Sequence, residues 1–74
     1  MSAEIKRQIF IEAAEGRTNR CINNIRLLRQ LANPKKYQYT LGDIERIKQT
    51  VQDELEAMMN DYKASLLPDN DFKL

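Results

Sequence analysis

The feature that most constrains this chain is its shortage of chain-breaking residues. Two glycines and two prolines are spread over 74 residues. Turn-forming residues gather at one place, Asn33-Pro34-Lys35-Lys36, continuing through Tyr37-Gln38-Tyr39-Thr40. Pro34 disfavours the α-conformation at Asn33, which stops a first helix at or just before that residue. Thr40 reads as an N-cap, with the Asp43 carboxylate able to reach back to it and to favour the positive end of the helix dipole. The spacing therefore predicts an all-α chain: a helix over about residues 2–32, a connection over 33–40 and a second helix over 41–66. Pro68 and Asp69-Asn70-Asp71 then end the second helix and leave a short flexible tail over 68–74.

In the second helix Ile44, Ile47, Val51, Leu55, Met58, Tyr62 and Leu66 recur every three or four residues, one apolar stripe on an amphipathic rod. Arg46, Gln49, Asp53, Glu56, Asn60 and Lys63 stand opposite. The first helix carries two stripes. Ile11, Ala14, Thr18, Cys21, Ile25, Leu28 and Ala32 alternate by three and four, the seam of a helix packed along another helix. Ile5, Ile9, Ala13, Leu27 and Leu31 lie well over a quarter turn away at 100° per residue, where the second helix cannot also cover them. Gly16 weakens the helix by about 1 kcal/mol relative to Ala. Neither Pro nor a clear cap accompanies it, so the first helix is expected to run through. A sharp break there would instead fold residues 2–15 back into a three-helix monomer.

An antiparallel hairpin of two such rods gives each residue one neighbouring helix, whereas buried side chains normally touch about six to twelve others. Pairing two hairpins into a four-helix bundle supplies the missing neighbours, with Ile5, Ile9, Ala13, Leu27 and Leu31 meeting their symmetry mates. The chain is expected to be a homodimer. Chains this small that lack disulfide or metal usually rely on packing or association for stability.

Composition removes most chemistry. There is no His and one Cys, so neither an intramolecular disulfide nor a zinc or iron–sulfur site is expected, and no cofactor is. Cys21 on the seam reads as a buried structural thiol. No glycine-rich loop cradles phosphates. Asp53, Glu54 and Glu56 point in different directions around their helix and make no acid–base pair. Catalysis is not expected. No window approaches the ~20 apolar residues of a membrane span, and charges interrupt the first sixteen residues too often for a signal peptide, so a cytoplasmic protein is expected, without membrane partners.

The chain is electrically polarised. Residues 1–40 carry eight Lys/Arg against three Glu, and residues 41–74 carry four against eight acidic residues, giving +5 and −4. Either an acidic half neutralises a basic half, or the basic half meets a polyanion. Arg17, Arg20 and Asn24 share a face of the first helix with Lys6 and Ala13, beside the second stripe. Guanidinium groups three residues apart can grip a phosphate or carboxylate, with the amide adding donor and acceptor. The plainer role is pairing with acidic residues of the second helix or of a partner hairpin. In the connection Lys35 and Lys36 accompany Tyr37 and Tyr39. Such residues can stack on bases and hold phosphates, or a tyrosine can plug the end of a bundle while the lysines face the negative end of the first helix.

The segment over residues 25–51, with Leu31-Ala32-Asn33 before the turn and Tyr37-Gln38-Tyr39-Thr40 ahead of Asp43, Ile44 and Ile47, resembles small helical proteins encoded by phages and mobile elements. In architecture the chain also resembles the plasmid regulator Rop, a helical hairpin that dimerises and binds an RNA pair, though no RNA-binding residues match. The expectation is a non-catalytic, self-associating protein that binds or inhibits a host macromolecule. A Rop-like nucleic-acid binder and an oligomer that sequesters a small anion such as a nucleotide stand as alternatives.

Overall fold

The computed structural model describes residues 2–67, and the expected tail over 68–74 lies outside them. Those residues form two α-helices, α1 (Ala3–Arg29) and α2 (Leu41–Leu66), as the all-α reading requires. The chain divides into two units, Met1–Gln38 and Tyr39–Leu74.

In the first unit α1 begins at Ser2, whose extended backbone and hydroxyl cap the helix. Its Oγ accepts a hydrogen bond from the Ile5 amide at 3.2 Å, occupying one of the amides that a helix start leaves without an intrahelical partner. Glu4 in the first turn and Arg26 and Arg29 in the last complement the helix dipole at both ends. The helix passes through Gly16 without interruption, and neither glycine takes a positive φ. The fold-back at Gly16 is therefore absent, and α1 is about 40 Å long at 1.5 Å per residue.

The end of α1 falls at Arg29, three residues before the Ala32 expected from its apolar spacing. The backbone tightens there. The amides of Leu31 and Ala32 donate to the carbonyls of Leu28 and Arg29, both at 3.1 Å, and that of Asn33 donates to Leu31 at 2.8 Å. Such short-range bonds are how helices commonly finish. Asn33 and Pro34 then build the turn. The Asn33 side-chain oxygen accepts from the Lys35 amide at 3.1 Å, and its carbonyl accepts from Lys36 at 3.0 Å and Tyr37 at 2.9 Å. Pro34 supplies the fixed φ that suits the second position of a turn.

In the second unit the capping box is complete. The Asp43 amide donates to Thr40 Oγ1 at 3.1 Å, and the Thr40 amide donates to Asp43 Oδ2 at 3.0 Å. The start of α2 at Leu41 and its end at Leu66 match the expected bounds. Within α2, Gln49 Nε2 donates to Asp53 Oδ1 at 2.8 Å across one turn, a pairing that supports the helix locally.

No described residue is buried, and only Ile11 and Ala14 reach intermediate exposure. Cys21, expected as a buried thiol, is exposed. One helix supplies neighbours only along its own surface, which is too few to enclose a side chain.

Thr40→Ala removes one half of the capping box. It is expected to destabilise α2 by about 1 kcal/mol, whereas Thr40→Ser, which keeps the capping hydroxyl, is expected to retain most of the stability, measured by circular dichroism during urea unfolding.

Candidate functional site

A concavity combining apolar and polar groups lies in the first unit, where the connection turns back beside the end of α1. It is lined by Asn24, Leu27, Leu28, Gln30, Leu31, Lys36 and Tyr37. Its origin is local. The paired bonds to the Asn33 carbonyl reverse the chain and bring Lys36 and Tyr37 beside the last turns of α1. The Lys36 ammonium stands 5.5 Å from the centre of the Tyr37 ring, within the range of a cation–π contact.

Three of the expected binding residues, Asn24, Lys36 and Tyr37, thus share one groove, together with Leu27 and Leu31 of the expected self-association stripe. Leu28 and Gln30 join them although neither was singled out for binding. The signal available for them was the Asn-Pro pair, which marks where a chain reverses. Arg17 and Arg20 do not line this groove. They stand exposed on α1, with Arg20 about 6 Å along the axis from Asn24. Lys35 and Tyr39 are also absent from its lining. Tyr37 shares the groove with three leucines and with Asn24, Gln30 and Lys36.

The groove offers an apolar floor of three leucines and a rim of one ammonium, one phenol and two amides. It suits an apolar side chain flanked by an acceptor or a negative charge. It lacks an acid–base pair and a nucleophile. Among the described residues no cluster of three or more His, Cys, Asp or Glu could hold a metal ion, and no described helix is long and apolar enough to cross a membrane.

Of the expected self-association residues, Ile5, Ile9, Ala13 and Leu27 lie on α1, whereas Leu31 falls in the turn beyond its end. Ile5, Ile9, Leu27 and Leu31 remain 52%, 51%, 50% and 46% exposed, so about half of each apolar side chain awaits cover. The stripe of α2 is open as well, from 36% at Val51 to 81% at Leu66. No protein family, curated protein or solved structure matches the chain.

Asn33→Ala removes the side-chain acceptor for the Lys35 amide. Amide exchange at Lys35 is expected to rise several-fold while exchange in the middle of α1 stays unchanged, as read by two-dimensional NMR.

Proposed function

We propose that this chain is a non-catalytic, self-associating helical binding protein. The observation that carries the reading is the coexistence of ordered apolar stripes with the absence of any buried described residue. Helical stability in proteins comes mainly from packing an amphipathic face rather than from intrinsic propensity. Exposed apolar surface of this extent marks sites of association. In this reading the two helices fold into an antiparallel hairpin, and two copies build a four-helix bundle dimer through Ile5, Ile9, Ala13, Leu27 and Leu31. The assembled protein acts in the cytoplasm as an accessory of a phage or mobile element, binding or inhibiting a host macromolecule. The absence of His and of a metal-ligand cluster among the described residues supports binding over catalysis.

A second reading is favoured by one arrangement, the gathering of Lys36 and Tyr37 with Asn24 in a groove that begins about one turn beyond Arg20. There the ligand is a phosphate-bearing anion, either a nucleotide or, as for Rop, RNA. Such binding falls steeply with salt.

Light scattering at micromolar concentration is expected to report twice the 8.7 kDa chain mass. Ile9→Asp and Leu27→Asp are each expected to yield the single-chain mass and to lose most helical signal. A cooperatively melting 8.7 kDa particle in the unmodified protein would overturn the reading. Titration with a nucleoside triphosphate or a short RNA at low salt tests the second reading, and loss of binding in Lys36→Ala with Arg20→Ala is its expected signature.

A further inference from the structure

The second stripe of α1 has a spacing of its own. Along the face of that stripe the apolar Ile5, Ile9, Ala13 and Leu27 are linked by the non-apolar positions Gly16, Arg20 and Asn24, and the seven follow at steps of four, four, three, four, four and three, an 11-residue repeat. The stripe of α2, from Ile44 to Leu66, steps by three, four, four, three, four and four, which is the same repeat. By contrast the seam of α1 from Ile11 to Leu28 alternates three and four, a heptad. On a straight helix the heptad drifts about 20° per repeat in one sense and the 11-residue pattern drifts in the other. Stripes of equal repeat remain face to face. Those of α1 and α2 superimpose at six or more successive positions whichever way the second helix runs.

Bulk and charge then choose which helix covers the stripe. The centre of the α1 stripe is thin: a Cβ added at Gly16 would meet nothing within 4 Å, and its neighbours on the stripe are Ala13, Arg20 and Asn24. The centre of the α2 stripe carries Val51, Leu55 and Met58, which can fill that space. A second α1 would set thin centre against thin centre, and in a parallel pair would also bring two Arg20 guanidinium groups together. Helix α1 carries six Lys/Arg against three Glu, a net +3, and α2 carries three against six acidic residues, a net −3. Opposite charge favours α1 beside α2, and like charge opposes α1 beside α1.

We propose that the second stripe of α1 is covered by the acidic helix α2 of a second copy, and not by that copy's α1. The proposal rests on the self-association reading above and assigns the occupant of its interface. The contact occurs twice in a symmetric dimer, so each copy gives one basic and one acidic surface.

Two measurements test it. On a Cys21→Ser background, chains carrying Ala13→Cys are mixed with chains carrying Leu55→Cys or Met58→Cys and oxidised. Disulfides between the two kinds of chain are expected to exceed disulfides between two Ala13→Cys chains. For the unmodified protein, dimer affinity is expected to fall about tenfold between 50 mM and 500 mM sodium chloride, because opposite charges across an interface are screened. Predominant disulfides between Ala13→Cys chains, with affinity that rises with salt, would overturn the proposal in favour of paired α1 helices. A double variant, Ala13→Cys with Met58→Cys, that closes only within its own chain would also overturn it. A single-chain mass at every salt concentration would instead sink self-association itself.

Discussion

An α-helix satisfies its own backbone but cannot enclose its own side chains. Its hydrogen bonds run inside the rod while every side chain points outward, so an apolar stripe is a demand for a neighbour. This constraint organises the whole chain. α2 collects its apolar residues on one side and needs cover there. α1 carries them on two sides, with Ile5, Ile9 and Leu27 on one and Ile11, Ile25 and Leu28 on the other. Half of the surface of most of these side chains remains open.

Features that depend only on neighbours in sequence were legible. Thr40 and Asp43 are three residues apart, the separation at which a hydroxyl and a carboxylate can each reach the other's amide, and both bonds are present. Gly16 carries no companion breaker, and α1 continues through it. The early end of α1 was not legible, because Leu31 and Ala32 favour helix and continue its apolar pattern. What stops the helix is the turn beyond, where the Asn33 carbonyl accepts two amides and draws the preceding backbone into shorter-range bonds. The groove was legible only in part. Asn24, Lys36 and Tyr37 are polar or aromatic groups that invite attention. Their meeting, and the inclusion of Leu28 and Gln30, depend on the path the chain takes after its reversal. Cys21 was read as buried because it sits among apolar residues of a seam, yet a seam is buried only by whatever lies on it.

The distribution of charge complements the distribution of apolar surface. A basic α1 and an acidic α2 discourage association of like helices, while the apolar stripes encourage association in general. In the proposed assembly the two together would give selectivity, burial supplying the drive and charge removing wrong pairings. Arg17 and Arg20 sit where both influences meet. On a surface facing another basic helix they would repel. On one facing an acidic helix or a phosphate they would be accommodated.

The capping box at Thr40 has a geometric consequence. Because Thr40 and Asp43 set the first helical residue by themselves, they also set the azimuth of every residue that follows, at 100° per step. Ile44 begins the stripe one residue beyond the box, so its bearing is established before any docking takes place. A residue inserted between Asp43 and Ile44 would leave helix, cap and composition nearly intact, yet would swing the greasy flank of α2 by more than a quarter revolution. The compass of this rod is thus held by four residues at its origin, far from most of the surface it directs.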